Sequence, residues 1–564
     1  MTLIDLHNML TRPFHNFWPL PIALSLSVSG WAQTPPDAGS LRQQIEQQRT
    51  LPLPAARPQS TPLPPEIKPT EGTTITVKAF RLVGNTLLSS EQLAPALAPF
   101  VGQALDFAGL QRTADAVAAA YREAGWIVRA YLPEQDISEG TLTLQVIEAK
   151  FADLRFEGEP SKRVMREQLL AFFKRQQSHG QALNAKALDR ALLLADDLPG
   201  ISVAGTLVPG DADAETALVL QTTDEPFFFG DVGVDNSGAR STGSNRLTAN
   251  LNINSPSGRG ELLSFSGLHT QGSNYGRMAL TVPVGHDGWR AGVNASAMNY
   301  EVINGPSANT VSPVKGRSGS MGLDLSYPLL RARLSNLYLS GGVENKSFFN
   351  RDSTVTADYE SNSVRMGLSG NRFDNLWGGG ANSGFLQMQW GHLASMKAHR
   401  QIDSIERSFH KLSYSLSRQQ NLTTDHSLLL SLQGQHATQT LDSSEKFYIG
   451  GANSVRAYPA SEQGGDCGQV LTAEWRWRLD TSLVLTAFAD TGRVVTLPTA
   501  SLAQQTVSLS GRGLSLNWQG PAGISTRLTW AHRNGNNPKP TPSGTDSDGT
   551  LERDRVWFTT SVAF

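Results

Sequence analysis

From Pro226 to Phe564 the chain alternates apolar and polar residues with a period of two, and this pattern limits the fold more than any other feature. Successive side chains of a strand point to opposite faces, so each alternating run reads as a strand with one greasy and one polar side. Leu247, Ala249, Leu251 and Ile253 face one way, while Thr248, Asn250, Asn252 and Asn254 face the other. Leu471, Ala473, Trp475, Trp477 and Leu479 alternate in the same way with Thr472, Glu474, Arg476 and Arg478. Sixteen runs are predicted as strands: 227–235, 247–253, 262–268, 278–284, 291–297, 321–329, 337–343, 364–370, 385–390, 412–416, 428–432, 471–479, 483–489, 514–518, 524–530 and 556–564. An even count suits a closed antiparallel barrel, as do connections that are short at 255–260 and 285–290 but long at 298–320, 391–411, 433–470 and 531–555.

A soluble sandwich also alternates, but its exposed face would be rich in Lys and Glu. Here the polar face is mostly Ser, Thr, Asn, Gln and Gly, which suits a water-filled lumen. Charged residues are 17% of the chain, below the roughly 25% of soluble domains. No run beyond the N-terminal segment approaches the ~20 apolar residues of a spanning helix. The last run places Val556, Phe558, Thr560, Val562 and Phe564 on one face, and a final Phe resembles the signal read by barrel-assembly machinery. Lys plus Arg (48) nearly balance Asp plus Glu (50), so no global field points to nucleic acid. The single cysteine, Cys467, excludes a disulfide framework and reads as a small buried residue of a long loop.

The N-terminal region divides into four parts. Residues 1–32 read as a secretory signal peptide, with an apolar run from Phe17 and cleavage after Ala32. Residues 33–50 hold a Gln-rich helical stretch with Leu41 and Ile45 four apart, and 51–72 form an extended Pro-rich linker. Two α/β units follow, at 73–150 and 151–225. The first is predicted to contain a strand at 73–83, a helix at 108–124 ended by Gly125, and strands at 126–133 and 141–147. The second contains a strand at 151–156, helices at 163–175 and 186–196 (the latter capped by Asn184), and strands at 201–208 and 216–222. The shared order reads as a tandem repeat of one interaction module.

Catalytic signatures are missing: the sequence has no HExxH, no P-loop Gly-Lys pair and no GxSxG elbow, so no enzyme activity, cofactor or metal is expected. Asp211, Asp213 and Glu215, and likewise Asp546 and Asp548, lack the full ligand spacing of a calcium loop. Lys162, Arg163, Arg166, Lys174 and Arg175 are either a solvated helix face or a docking patch. The segment 447–459 is unusually apolar for an exposed loop, which predicts that it packs. The alternation at 483–489 turns Thr486, Phe488 and Asp490 toward the lumen. A carboxylate there invites a cation, and Arg456 in the apolar loop is the natural candidate. The alternative is a surface Arg and a turn Asp before Gly492 that never meet, and pattern alone does not choose between them.

Several motifs together resemble the two-partner secretion transporters, the TpsB family of haemolysin/haemagglutinin secretion-activation proteins, within the POTRA–barrel outer-membrane superfamily. They are Phe80-Arg-Leu-Val-Gly-Asn85, Tyr121-Arg-Glu-Ala-Gly125, Arg190 to Gly200, Gly450-Gly451, Val455-Arg-Ala-Tyr458 and Phe488-Ala-Asp-Thr-Gly492. The resemblance implies a 16-stranded antiparallel transmembrane β-barrel at 226–564, two periplasmic POTRA domains and an N-terminal plug helix on a withdrawable tether. It further implies export of a large partner exoprotein of haemolysin or adhesin type, captured by the POTRA domains and threaded past loop 433–470. A barrel-assembly or insertion factor is the alternative. Arg456 and Asp490 would form a loop–barrel lock supported by Gly450, Gly451, Val455, Ala457, Tyr458, Phe488 and Gly492. Ala457 stands where the family usually has Gly, which questions a left-handed backbone at that position.

Overall fold

The computed structural model describes residues 36–48, 74–136, 140–304, 314–352, 356–399, 407–500 and 502–564. The signal-peptide and linker expectations at 1–32 and 51–72 lie outside these residues. Sixteen antiparallel strands close a barrel in sequence order, from Phe228–Asp235 round to Asp554–Ala563, which pairs back onto the first strand. The outward face is apolar, with Met321, Leu323 and Leu325 on one strand and Leu514 and Leu516 on another left exposed for lipid. Inward positions of the same strands carry Ser318, Ser320 and Ser515, all buried. Apolar outside and polar inside is the arrangement a bilayer demands, because every backbone group must be satisfied within a closed sheet.

Each predicted barrel strand is present, and most are longer than predicted, whereas the strand predicted at 73–83 is divided into Ile75–Thr76, which pairs with Ala104–Leu105, and Ala79–Val83, which belongs to a second sheet. Thr356–Asp374 and Gly380–His399 run 19 and 20 residues, so the connections between strands are shorter than the predicted long loops. Loop 433–470 is corrected to 438–466, since its ends belong to strands His426–Ala437 and Cys467–Arg478. Within it, Phe447–Ile449 pairs with Gln463–Gly465 as a hairpin. Cys467 opens a strand and is half-buried, its sulfur donating to the Ala437 carbonyl at 3.3 Å.

Before the barrel stand two α/β units with one topology. In the first, Ala79–Val83 runs parallel to Thr141–Glu148, which pairs antiparallel with Val128–Tyr131. Helices Ser90–Leu97 and Phe107–Ala124 cover this sheet, and Gly125 closes the second helix with φ of 97°. The second unit repeats the arrangement, with Lys150–Glu157, Glu215–Asp224 and Ile201–Pro209 in its sheet and helices Arg166–Gln176 and Ala185–Asp196 above it. Asn184 caps the latter helix by accepting from the Ala187 N–H. The units are joined by backbone hydrogen bonds, Ile127 N–H to Leu183 O at 3.1 Å and Leu183 N–H to Ala149 O at 2.7 Å.

The second unit is fastened to the barrel's near rim. Arg331 forms a two-pronged pair with Asp197 at 2.7 and 2.8 Å, and Arg333 reaches Asp189 at 2.6 Å. Of the basic cluster, Arg163 lies over Phe227 and Arg166 over Phe156, so both are held against aromatic rings. Asp546 and Asp548 are taken by arginines: Arg533 and Arg555 pair with Asp546, and Arg555 with Asp548.

Candidate functional site

The lumen is occupied by two elements the chain supplies itself. The first is loop 438–466, folded inward so that Phe447, Ile449, Val455 and Tyr458 pack against the barrel-wall residues Phe488, Val494, Val507 and Leu509. Burying these side chains removes apolar area from water at about 25 cal/mol per Å², which explains why so greasy a loop does not stay in solvent. Gly450 and Gly451 take φ of 102° and 99°, values that only glycine adopts without strain, and the hairpin turns there. Ala457 is not among the residues with positive φ, so its side chain costs no left-handed strain.

Arg456 sits at the loop's tip. Its Nε and Nη2 donate to the two oxygens of Asp490 at 2.8 Å each, and its backbone N–H reaches Asp490 Oδ2 at 3.2 Å. The remaining arm, Nη1, donates to Glu474 at 2.9 Å, and the guanidinium lies 3.4 Å from the Phe488 ring centroid. Thr472 donates to Asp490, and the Trp557 indole N–H donates to the Arg456 carbonyl at 2.7 Å. Each of the three guanidinium nitrogens therefore has a carboxylate partner, in a site where Asp490 is 3% exposed. Gly492 leaves room for Val455, since a Cβ there would lie 2.8 Å from the valine's Cγ2. The structure thus brings Arg456, Asp490, Phe488, Val455, Tyr458 and Gly492 into one cluster. Glu474 and Trp557 were not singled out in the sequence reading, because an acidic or aromatic residue in an alternating strand carries no mark of its partner.

The second element is helix Ala38–Gln47, capped by Asp37. Leu41 packs with Tyr275, Met298, Tyr300 and Phe348 of the wall. Arg42, 2% exposed, donates to Ser320 at 2.5 Å and to Glu344 at 3.4 Å. Tyr275 donates to Glu46 at 2.7 Å. The helix also touches the loop: Gln47 and Tyr448 exchange hydrogen bonds of 3.0 and 3.2 Å.

Residues 214–518 match the family described as haemolysin secretion/activation protein ShlB/FhaC/HecB, more than half of the chain. The chain belongs to this family. Residues 75–149 match a ShlB-type POTRA domain. Among relatives, the heme/hemopexin transporter protein HuxB of Haemophilus influenzae strain 86-028NP is 25% identical over 84% of this chain and 86% of its own length. The outer membrane transporter CdiB of Escherichia coli is 28% identical over 83% of this chain and 81% of its own. The solved CdiB from Escherichia coli superposes with a TM-score of 0.69 at 23% identity, covering 94% of this chain and 99% of that one. BamA from Haemophilus ducreyi lacking POTRA domains 1–3 gives 0.53 at 14% identity over 87% of this chain and all of that one, a likeness of fold alone. The chain is an outer-membrane transporter of the two-partner secretion class, a secretion channel with its POTRA module on the periplasmic side.

Proposed function

We propose that this chain exports one large exoprotein of haemolysin or adhesin type, captured by its two POTRA-like units and threaded through the lumen past loop 438–466. The observation that carries the reading is that the barrel's interior is filled by a hairpin loop and a helix, each held by a small number of polar contacts. Such occupants can rearrange without opening the wall, whereas a lumen filled by wall side chains could not pass a polypeptide.

In this reading Arg456 and Asp490 keep the loop placed, and the helix obstructs the pore at rest and leaves it along the Pro-rich linker. One edge strand of each small sheet, Val128–Tyr131 and Ile201–Pro209 beyond Val203 (whose N–H is taken by Asp196), offers backbone on which an unfolded client can add a strand. No nucleotide is required, since folding of the client outside biases its passage. Phe564 serves as the address for barrel assembly. Its N–H and C=O already pair with Gly230 at 3.0 Å, closing the seam between the last strand and the first.

The test is client secretion by cells carrying Arg456→Ala, with insertion verified by heat-modifiable gel mobility. Removing the arginine leaves Asp490 with the Thr472 hydroxyl but no cation, and Glu474 with Arg476 alone, a loss of about 3–5 kcal/mol for a buried pair. Export is expected to fall to background while the barrel remains inserted; wild-type export would refute the role.

A further inference from the structure

Eleven residues before Arg456 at the loop tip, the ascending limb carries a second buried charge. Glu445 is 1% exposed and lies between two lysines, Lys346 at 2.7 Å from one carboxylate oxygen and Lys411 at 2.7 Å from the other. Gln389 donates to the same carboxylate at 3.2 Å, and Gln435 donates to the Glu445 backbone carbonyl at 2.8 Å. These four wall residues come from four strands: Ser335–Arg351, Gly380–His399, Arg407–Asn421 and His426–Ala437. None of them holds Arg456, whose partners lie on strands Cys467–Arg478, Leu483–Thr496 and Asp554–Ala563. The loop is therefore pinned to two separate arcs of the wall.

The N-terminal helix lies against the limb that Glu445 pins. Ser443 donates to Asp37, the helix's own N-cap, at 2.8 Å. Gly39 passes so close that a Cβ there would be 2.8 Å from Ser443 Oγ and 2.9 Å from Ser444 Cβ. At the other end of the helix, Gln47 makes its paired hydrogen bonds with Tyr448. The segment 443–448 thus holds the helix at both ends, and Glu445 sits inside that segment.

We propose that Glu445 is a positioning residue: clamped by Lys346 and Lys411, it forms a second anchor of the loop, independent of Arg456, and seats the N-terminal helix in the lumen. Removing its charge leaves two buried ammonium groups facing each other with only Glu344, 3.8 Å from Lys346, as counter-ion, and the limb that carries the helix contacts is pushed off the wall. The arrangement deepens the plug reading above and relies on it only for its consequence in transport.

The experiment uses the full chain in liposomes with Cys467→Ser and Gln44→Cys, Gln44 lining an open cavity of about 650 Å³ beside Ser443 and Tyr448. A bulky polyethylene-glycol maleimide reads whether the helix is seated. Glu445→Gln is expected to raise the labelling rate by at least about tenfold, since a buried ion pair that loses one partner loses several kcal/mol. Glu445→Asp, which keeps the charge, is expected to restore slow labelling, a rescue that a role in packing alone would not give. Should Glu445→Gln fail the heat-modifiability check, Lys411→Met takes its place. Unchanged labelling in the variant that folds, or the same increase in Arg456→Ala, overturns the proposal. Planar-bilayer conductance of a variant lacking 36–48 separates the two readings. Conductance unchanged by that deletion sinks the plug role, while the labelling result still judges the clamp.

Discussion

Ala457 and Gly511 fit each other like a peg and a notch. A Cβ built on Gly511 would sit 2.4 Å from the Ala457 methyl, closer than carbon atoms can approach, and a tight 3.1 Å from the His532 carbonyl oxygen. The side chain at the loop tip is thus accommodated by a missing one on the facing strand. Gly511→Ala is expected to destabilise the seated loop by about 1–3 kcal/mol, the usual cost of overpacking. It should lower the temperature at which the folded gel band converts, and Ala457→Gly in the same chain should recover most of the loss. Failure of that rescue would show that the clash with His532 dominates. Much of this site could be read from the sequence. Arg456 stands in a loop too apolar to be exposed, and Asp490 points inward by the strand's period of two. Glu474 and Glu445 could not be read, because each gains its meaning from a cation 18 to 99 residues away along the chain.

At the level of elements, the hydrophobic pattern located strands well inside the membrane and badly beyond it. The alternation of Val364, Met366 and Leu368 marks a strand, but in its outer continuation the same face carries Thr356, Asp358, Glu360 and Asn362, so the apolar lipid-facing run stops there while Ala357 and Tyr359 face inward. Helix Ser90–Leu97 in the first unit is hard to read for a different reason: Pro95 lies inside it, and only the Ser89 capping box marks its start. That helix is preceded by a turn tied down from afar. Glu148, at the end of its strand, accepts from the backbone N–H groups of Thr86 and Leu87 at 2.7 Å and from the Tyr121 hydroxyl at 2.9 Å. Burial works against ionising this carboxyl, yet the hydrogen bonds from Leu87 and Thr86, and then from Tyr121, prevail and hold its pKa below the usual 4.5. A depressed carboxylate stabilises the fold fully above its unfolded pKa, and that contribution disappears as pH falls through the folded value. Hydrogen exchange at 84–97, corrected for intrinsic rate, should therefore speed up as the pH falls below the usual glutamate value of 4.5. Glu148→Gln should exchange faster at neutral pH, and its remaining response to acid should be smaller. An unaltered acid response in that variant would assign the effect to other carboxylates.

For the molecule as a whole, the question is how events in the small units reach the pore. The link runs through the rim: Arg331, 4% exposed, spends its guanidinium on both oxygens of Asp197, on Asn336 and on the Ala332 carbonyl. Arg290 adds a hydrogen bond of 3.0 Å to the Asp197 carbonyl, and Leu194 rests against Gly288 in a contact that leaves no room for a Cβ. A joint of this kind transmits orientation, because a buried two-pronged pair resists rotation where a single hydrophobic contact would slide. Arg331→Ala leaves Asp197 partly buried without its counter-ion, a cost of about 3–5 kcal/mol that falls on the joint and not on the barrel ladder. Spin labels at Lys174→Cys and Trp377→Cys, in a Cys467→Ser chain, straddle the joint on exposed positions. The single narrow distance distribution expected for the parent should broaden in Arg331→Ala, while the heat-modifiable transition of the barrel stays where it was. Adding Asp197→Ala should recover some stability, since no orphaned charge remains, but the distribution should stay broad, because orientation is lost with the pair itself. If client export survives the broadened joint, the two units deliver their cargo by proximity alone. If export falls with it, the client must be presented to the lumen at a fixed angle, and the rim arginines are part of the transport path.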